Sequence, residues 1–471
     1  MKCCFRTLAV LAVAASCLAG CRAVREARRA QEAAAPAGAG PVDRRKIDLS
    51  GCSLEELVGF ALTNRPSMAS AAIEVQDARL ALREIAADAP LASSTPWNAA
   101  HASASLGYSE SSKAVHFDDF EAKTRRGDAT GGISVDLLVW DFGRNDARAR
   151  AQAENVLAAE QSLVKEGYAV FNEVSSAYFA LLQNRALLEV AATNAVQYAD
   201  HLERAECMFE QGEAQKLDVV RAKLDLALAR ESLVSASNDV AVAGARLMAA
   251  LGVDASQGDY RSVLGESPAG LADVQRGFAD TDESAEDAFL FARTNAPAMK
   301  VARARLRAAS AQVDYAVADL KPSVSASLSL NWTDPLWYWR WGVSAAQSLF
   351  TGWRKTTAVE RATLSLRAAE SAVDSAEQQL SRSIEVAVAE RDNAREGFAS
   401  AEESVRSALE NLETVTSRYE VGDVSRVDFT DAVSAYAEAQ GNRIKAFYRG
   451  QIAEAVLFET TGRIPVYSSG R

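Results

Sequence analysis

The sequence predicts a mainly α-helical fold with a smaller share of β-strand, in which long, coiled-coil-like helices are joined to short strands. Three observations predict it: an internal duplication, the positions of the prolines, and changes in hydrophobic period. The duplicated core runs from Trp140 to Gly252 and again from Phe350 to Gly462, offset by 210 positions without a gap. A repeat of this length constrains the architecture before any single element is assigned.

The landmarks of the two copies coincide in order. They comprise a five-residue aromatic and Gly motif, an aromatic residue followed by Gly three positions later, an Asp, and a terminal Gly. The coinciding pairs are Trp140-Asp-Phe-Gly-Arg144 with Phe350-Thr-Gly-Trp-Arg354, Phe209 and Gly212 with Tyr419 and Gly422, Asp218 with Asp428, and Gly252 with Gly462.

Each copy of the repeat predicts two long helices joined at a Gly turn. All 10 prolines lie outside both copies, and an internal proline would cost about 3 kcal/mol in a helix. A seam with alternating spacings of four and three, the coiled-coil period, supports the assignment. In the second copy it comprises Ala394, Phe398, Ala401, Val405, Ala408, Leu412, Val415 and Tyr419. The helix from Arg144 to Phe209 would be roughly 100 Å long.

Composition excludes several classes of protein. The chain has 471 residues and a formal net charge of −12, with no basic stripe, so we expect no nucleic-acid partner. No phosphate loop, nucleophile elbow or metal-ligand spacing occurs, so we expect no enzyme, cofactor or metal site. No long apolar run follows the N-terminus, and membrane insertion would therefore need strands that close into a barrel.

The first residues form a secretory leader. Lys2 and Arg6 make a short basic region, and Leu8 to Leu18 is apolar but too short to span a membrane as a mature helix. We therefore predict a signal peptide at residues 1–20.

The leader ends in Leu18-Ala-Gly-Cys21, which resembles the lipobox of bacterial lipoproteins. The resemblance implies cleavage before Cys21 and lipidation of that cysteine, while the alternative is an ordinary signal peptide with a chance cysteine. Arg22 follows rather than the Asp of an inner-membrane retention signal, which favours the outer membrane. Residues 21–46 are rich in Ala, Arg, Gly and Pro and read as a lipidated, unstructured tether.

A pair of shorter helices precedes each long pair. Ser53 and Glu56 form a predicted capping box, and the helix that they begin ends near Asn64-Arg65-Pro66. The second copy has the same predicted helix start at Ser284 and the same helix end at Asn295-Ala-Pro297. We therefore predict a first structural repeat at residues 47–252, an inter-repeat linker at 253–282, a second repeat at 283–462 and a C-terminal tail at 463–471.

Between the short and long helices the hydrophobic period changes to two. Ser323 to Leu330 alternates polar and apolar residues, and a weaker alternation follows from Tyr338 to Phe350. The pattern predicts β-hairpins at about 101–140 and 323–350, with a charged loop from Ser109 to Gly131 in the first.

The second hairpin is rich in tryptophan. Trp332, Trp337, Trp339 and Trp341 are expected to cluster at one end, as aromatic belts do at a bilayer interface. The alternative is a soluble hairpin domain with a tryptophan core. Four strands per chain cannot close a barrel alone, so a membrane barrel requires an oligomer.

Outside the leader and its terminal Cys21, two cysteines remain, Cys52 and Cys207, far apart in sequence. Their spacing indicates no disulfide framework or zinc site, and their role stays open.

Together, the duplicated junctions, the Asn-x-Pro-like helix ends and the Gly and Asp pairs resemble the TolC family of outer-membrane channel proteins. The lipobox points to the lipoprotein branch of that family. The resemblance covers about Ile47 to Gly462. It implies a homotrimer with a twelve-stranded barrel in the outer membrane, above an α-barrel of twelve helices that crosses the periplasm.

This resemblance implies a passive channel of a tripartite efflux or type I secretion system, with a periplasmic adaptor and an inner-membrane pump as partners. The substrate class (drug, metal ion or protein) stays open. One alternative is a non-channel coiled-coil lipoprotein that acts as a structural tether, although a rod needs no Trp-rich hairpins. A ligand-binding lipoprotein is a further alternative, for which no compact pocket-forming domain is evident.

The resemblance also implies a periplasmic gate. Asp428 and Asp431 lie about one helical turn apart, and in a trimer each would form a ring of three carboxylates at the constriction. Asp218 is the first-copy counterpart of Asp428, and Tyr419 matches an aromatic of the closing contacts. The alternative is that acids near a helix start only favour the dipole.

The helix-tip turns at Gly212 and Gly422 would contact the adaptor. One departure concerns the latch of the closed state, because Val424 stands where a basic side chain holds the best-known gate of the family.

Overall fold

The computed structural model describes residues 53–88, 100–117, 120–212, 215–253, 283–333, 336–420 and 423–463. In this part of the chain eight helices flank four strands. The helices are α1 (Leu54–Asn64), α2 (Pro66–Ala87), α3 (Arg144–Glu210), α4 (Lys216–Ala250), α5 (Ala285–Asn295), α6 (Pro297–Ala318), α7 (Arg354–Glu420) and α8 (Arg426–Thr461). The strands are β1 (Ala100–Phe117), β2 (Phe120–Trp140), β3 (Ser323–Thr333) and β4 (Leu336–Ala346).

The structure confirms the internal duplication. Helices α1 and α5 both have 11 residues, α2 and α6 both have 22, and α3 and α7 both have 67. At about 1.5 Å per residue, each of the longest pair extends for about 100 Å. The predicted seam of α7 is correct, since all eight of its residues are buried or half-buried between mostly exposed neighbours.

The helices form one layer that is four helices wide. In the half next to the sheet, α3 packs between α2 and α6, and α6 packs on α7. In the half away from the sheet, α3 packs between α4 and α8, and α8 packs on α7. The two long helices therefore run through the whole layer, and the shorter helices fill each half.

The core lies at the waist, where the short helices α1 and α5 pack on the long ones. One cluster of buried side chains joins α1, α3, α4 and α8 around Val174, Phe179 and Leu247. Its counterpart joins α5, α6, α7 and α8 around Met299 and Ile384. Ile384 and Val174 are 210 positions apart, so the waist occupies the same place in both copies.

Glycines that end helices approach the waist closely. Gly462 caps α8 with φ 69°, and a Cβ at this position would lie 2.9 Å from Pro297 Cδ. The Tyr168 hydroxyl donates to the Gly462 carbonyl oxygen over 2.9 Å. In the first copy, the Asn64 side-chain amide donates to the Gly252 carbonyl oxygen over 3.2 Å. Each Asn-x-Pro-like turn thus packs against the glycine end of a distant helix.

The four strands form one antiparallel sheet in the order β1-β2-β3-β4. The predicted loop from Ser109 to Gly131 is wrong, because these residues continue β1 and β2, whose pairing extends to Phe117 and Phe120. Backbone hydrogen bonds of a ladder do not depend on the polarity of the side chains, so a charged hairpin can pair as fully as an apolar one.

The tryptophans are also arranged differently from the prediction of a single end cluster. Trp332 lies opposite Trp337 at the far end of β3 and β4, with ring centroids 6.2 Å apart. Trp339 and Trp341 follow at alternate positions of β4, toward the helices. Period two therefore distributes the rings along one face of the strand.

Several predicted features lie outside the described residues: the leader and tether with Cys21, Cys52, the linker after Val253, the tip residue Gly422 and the tail after Arg463. Among the described helices, none has a stretch both long and apolar enough to cross a membrane.

Candidate functional site: a two-faced sheet and the helix tips

Each passage from strand to long helix uses two consecutive left-handed residues. These are Phe142 and Gly143 in the first copy (φ 55° and 83°) and Gly352 and Trp353 in the second (φ 61° and 63°). In the first copy, both oxygens of the buried Asp141 carboxylate accept from backbone N–H groups at the start of α3. The paired left-handed residues turn the chain sharply, so the sheet stands directly on the helix layer.

One face of the sheet is apolar. Its cross-strand rows follow from the pairing register: Ala102, Val135, Leu328 and Trp341 form one row, and Ala104, Ile133, Leu330 and Trp339 form the next. Ile133, Leu328, Trp339 and Trp341 are each more than half exposed in the single chain. A soluble hairpin domain would bury its tryptophans in a core, whereas this face presents them outward.

The opposite face of the sheet is polar. Its rows contain His101, Asp136 and Ser327, then Ser103, Ser134, Ser329 and Arg340. The Ser103 and Ser134 hydroxyls lie 2.8 Å apart and those of Ser325 and Ser344 lie 3.0 Å apart, both within hydrogen-bonding distance. One apolar and one polar face is the pattern of a sheet with lipid on one side and water on the other.

Aromatic pairs stand at both ends of β4. Trp332 and Trp337 form the far pair, and Phe350 with Trp353 forms the pair next to the helices, at 6.4 Å between centroids. From Val324 to Trp332, β3 spans about 27 Å at 3.4 Å per residue. Its nine residues fall within the roughly 9–11 residues of a tilted membrane strand, and aromatic girdles flank the apolar band of such strands.

At the opposite end of the layer, Gly212 follows α3 in the left-handed conformation (φ 80°), with nothing within 4 Å of the place of a Cβ. Cys207 is exposed on the last turn of α3, and its sulfur accepts from the Gln211 side-chain amide over 3.1 Å. The first tip is therefore a tight turn with free space around its glycine.

An aromatic cluster holds the second tip against the first. Tyr419 at the end of α7 stacks on Phe429 of α8, with centroids 4.9 Å apart and an interplanar angle of 18°. The buried His201 ring of α3 lies 6.0 Å from Tyr419 and 5.4 Å from Phe429. Three helices thus meet at these rings, and Tyr419 makes its aromatic contacts within one chain.

Asp428 and Asp218 occupy equivalent positions in the first turns of α8 and α4. The Ser425 hydroxyl donates to Asp428 Oδ2 over 2.7 Å, and the Asp428 N–H donates to Ser425 Oγ. The Gln215 N–H donates to Asp218 Oδ2 over 3.2 Å. The predicted alternative, that these acids stabilise helix starts, therefore describes contacts that both carboxylates make.

Asp431 makes a different contribution from Asp428. It is exposed on α8. Burial raises the pKa of the Tyr198 phenol, and the negative charges of Asp225 on α4 and of Asp431 raise it further. Since α4 and α8 flank α3 on opposite sides, the two carboxylates come from different helices and from different copies of the repeat. The tip therefore collects acidic charge from both copies of the repeat.

The two tips have diverged in polarity. The side chains of Leu217, Val220, Leu224 and Leu228 form an exposed stripe on α4 with spacings of three and four. The equivalent positions of α8 are Val427, Thr430, Ser434 and Glu438. Within the described chain α4 packs mainly on α3, and this apolar stripe lies on the surface of α4 that the chain itself leaves uncovered.

The sequence analysis did not identify His201, Phe429, Tyr198 or Asp225 as parts of the tip. Phe429 follows Asp428 directly, and Asp225 lies seven positions after Asp218, which is two turns on one helix face. Phe429 and Asp225 could therefore have been identified from sequence spacing alone. His201 and Tyr198 require the packing of α3 against the second repeat.

A sequence model described as outer membrane efflux protein matches residues 57–253 and 291–463. The two matched segments correspond to the two copies of the repeat. The curated outer membrane efflux protein BepC of Brucella suis is 21% identical over 343 residues, covering 71% of this chain and 72% of that protein.

The fold is shared with solved structures. A membrane protein from Pseudomonas aeruginosa superimposes with a TM-score of 0.75 at 21% identity, covering 91% of this chain and 98% of that one. The outer membrane protein VceC from Vibrio cholerae superimposes with a TM-score of 0.72 at 19% identity, covering 87% and 96% of the two chains.

Proposed function

The chain belongs to the outer membrane efflux protein family, and from that premise we propose that three copies close into a passive channel through the periplasm and the outer membrane. Energy comes from an inner-membrane pump, which reaches the channel through a periplasmic adaptor. The family consists of channels rather than enzymes. The observation that supports a channel most strongly is the sheet with one apolar and one polar face. A periplasmic tether would not need an exposed apolar face.

The edge strands and edge helices of the single chain support a closed barrel of three copies. Strands β1 and β4 are the edges of the described sheet, and exposed strand edges pair readily with another chain. On the helix layer, α2 and α4 form one margin and α7 forms the other. Three copies joined edge to edge give twelve strands and a ring of twelve helices in each half of the layer.

The helix tips support docking of the adaptor. Leu217 and Val220, the part of the apolar stripe of α4 nearest Gly212, are proposed to contact an amphipathic helix of a helical-hairpin adaptor, while the rest of the stripe faces the next copy. Gly212 leaves room for a close approach, and Gly422 is its counterpart in the sequence, 210 positions further on. A cross-linker attached to the exposed Cys207 should capture the cognate adaptor when the two are co-expressed. Absence of any adduct would exclude docking at this tip.

The trimeric channel is tested by the mass of the solubilised protein and by its conductance in planar bilayers. Detergent-solubilised protein should have a mass near three chains, and it should form ion-conducting pores in planar bilayers. A stable monomer or dimer that conducts fully would exclude the three-fold barrel, because four or eight strands of this sheet leave too small a lumen.

We further propose that Cys21 carries the lipid anchor. The lipobox and the basic leader support this, and Cys21→Ser should abolish labelling by a clickable palmitate analogue and alter the N-terminus of the mature chain. Cys207→Ser is the matched control, which should keep the label. Unchanged processing of both variants without any label would contradict the proposal. Outer-membrane insertion should survive Cys21→Ser, because the barrel anchors itself.

Asp428 and Asp431, with Asp218 from the first copy, are proposed to line the periplasmic constriction. Rings of like charge focus a negative potential, so the pore should prefer cations and be blocked by multivalent cations from the periplasmic side. Asp428→Ala with Asp431→Ala should remove the block and weaken the cation preference. Of the two, Asp431→Ala should have the larger effect, because the Ser425 hydroxyl already engages the Asp428 carboxylate.

The control for this experiment removes the same charge far from the tip. Glu370→Ala with Asp374→Ala changes two exposed acids one turn apart on α7, about 70 Å from its end. It should leave block and selectivity unchanged. If cation block and cation preference are the same for both double variants, the constriction does not lie at Asp428 and Asp431.

A further inference from the structure

The contact between α3 and α6 joins the two repeats in the half of the helix layer next to the sheet. Each of its two sides has a copy at a margin of the chain. Helix α7 repeats α3 at an offset of 210 positions, and α2 repeats α6 at the offset from Pro66 to Pro297, where both helices begin. The uncovered flanks of α7 and α2 are therefore equivalent to the two sides of the α3–α6 contact.

A neighbouring contact shows that equivalent positions keep their geometry. At the start of α3, the Asn145 side-chain amide donates to the backbone carbonyl oxygen of Asp88, where α2 ends, over 2.6 Å. At the start of α7, the Lys355 ammonium donates to the backbone carbonyl oxygen of Asp319, where α6 ends, over 2.5 Å. The second pair stands at the same two offsets from the first. Both copies of the repeat thus pack these helices in one register.

Ion pairs fix the register of the α3–α6 contact. Measured between nitrogen and oxygen, three pairs span it: Arg144 with Asp319 at 3.4 Å, Arg150 with Asp314 at 3.3 Å, and Glu154 with Arg307 at 2.8 Å. Ala304 and Ala311 of α6 are buried on either side of Arg307. A contact between α7 and α2 in the same register needs complementary groups at the equivalent positions.

The first ion pair recurs at the margins with the same signs. Arg354 begins α7 as Arg144 begins α3. Asp88 follows α2 as Asp319 follows α6. Arg354 is exposed, and it has no ion-pair partner within the described part of its own chain. Its guanidinium is therefore available to a carboxylate of another copy.

The second ion pair recurs with both charges reversed. Glu360 of α7 stands in the place of Arg150, and both are exposed or partly exposed. Arg83 of α2 stands in the place of Asp314. A reversed pair attracts as the original does, but mixed combinations repel, since Arg150 would face Arg83 and Glu360 would face Asp314. The reversal makes α7 of one copy and α2 of the next select each other over the flanks inside each chain.

The third position changes from charged to apolar on both sides. Leu364 of α7 stands in the place of Glu154. Ile73 and Leu80 of α2 stand in the places of the two buried alanines of α6. These three apolar side chains are at least half exposed in the single chain. Their burial against one another would favour association, because it removes apolar surface from water.

On the premise of the proposed function, which requires three copies, we propose that α7 of one copy binds α2 of the next in the register of the α3–α6 contact. The groups that meet are Arg354 with Asp88 of the partner subunit, Glu360 with the partner subunit's Arg83, and Leu364 with the partner's Ile73 and the partner's Leu80. Three identical contacts of this kind close the ring of helices next to the sheet.

Cross-linking tests the register of this contact. Arg83→Cys and Glu360→Cys are combined in the full-length chain, in a background with Cys52→Ser and Cys207→Ser, and the solubilised protein is treated with a short bis-maleimide. Within one chain the two positions lie three helix spacings apart, about 24–30 Å along the layer, so the reagent can join only different copies. The combined variant should give covalent dimers and trimers on denaturing gels, and neither single-cysteine variant should do so.

Charge reversal tests the attraction between the two flanks. Arg83→Glu and Glu360→Arg should each lower by several degrees the temperature at which the trimer dissociates, because like charges then meet at all three contacts. The double variant should recover most of that loss. Arg305→Glu is the control, because Arg305 is exposed on α6, which has neighbours from its own chain on both sides. This control should leave the dissociation temperature unchanged.

The outcomes separate this contact from the channel itself. If the wild type is a conducting trimer but the two cysteines are not joined, the register is wrong and the channel stands. The same holds if the double variant is no more stable than the single charge reversals. If the wild type is a monomer in detergent, the proposed trimer is wrong, and the contact between α7 and α2 is lost with it.

Discussion

Replacing Leu328 by Arg is expected to abolish accumulation of the folded channel in the outer membrane. Leu328 lies midway along the apolar face, four residues from Trp332 and four from Val324. A basic side chain at the midplane of a barrel costs about 2–4 kcal/mol, and three copies multiply that cost. Because the whole stability of a folded protein is commonly about 5–15 kcal/mol, the trimer should fail to form.

The neighbouring residue on the same strand supplies the control. Ser327→Arg places the same side chain on the polar face, in the row of Asp136, and should leave the amount of trimer and its heat resistance near wild type. Trimer in outer-membrane fractions is measured on gels with and without heating. Normal accumulation of the Leu328→Arg variant would show that this face does not meet lipid.

Gly462→Ala is expected to lower the stability of the waist strongly. Alanine in the left-handed conformation costs about 1 kcal/mol or more, and its Cβ would also lie 2.9 Å from Pro297 Cδ and 3.3 Å from Ala296 Cα. Neither atom can move without shifting the start of α6. We expect a loss of about 2–4 kcal/mol, seen as a large fall in Tm by circular dichroism.

Gly212→Ala is the matched comparison, because Gly212 is also left-handed (φ 80°) and has no atom within 4 Å of the added Cβ. Only the conformational cost remains, about 1 kcal/mol. Gly252→Ala should fall between the two, since its nearest neighbours, Arg65 Cγ at 3.3 Å and Arg65 Cα at 3.4 Å, are further away than Pro297 Cδ is from Gly462. Equal losses for Gly462 and Gly212 would mean that the contact with Pro297 is unimportant.

The helical part of the fold was predictable because its signals are local and repeated. The offset of 210 positions, the absence of proline and the seam of α7 all act within one or two turns of helix. The Ser53 capping box is likewise a four-residue signal, and it is present as predicted. Duplication strengthened each of these assignments by providing two readings of the same element.

The outer part of the β1–β2 hairpin was not predictable from polarity. Charged residues between Ser109 and Gly131 suggested a loop, yet the backbone pairs row by row. The side-by-side placement of β2 and β3 joins the two repeats over about 190 positions, and no hairpin signal in the sequence carries that information. Long-range pairing of this kind is set by the packing of the helices beneath it.

The tip cluster shows the same limit. His201 lies more than 200 positions before Tyr419 and Phe429, and only the packing of α3 on α8 brings the rings together. The acidic pair at Asp428 and Asp431 was visible as spacing, whereas the capping contact of Ser425 that distinguishes the two carboxylates required atomic geometry.

The long helices also have a mechanical consequence. Each is held firmly at the waist near Val174 or Ile384, and its tip lies 36 residues further on, which is about 54 Å. With no proline to absorb bending, each behaves as a rigid lever pivoting at the waist. A rotation of about 5° there would move the tip by about 5 Å over that length. The pivot can stay packed while the largest displacement falls at the tip, on the rings of His201, Tyr419 and Phe429.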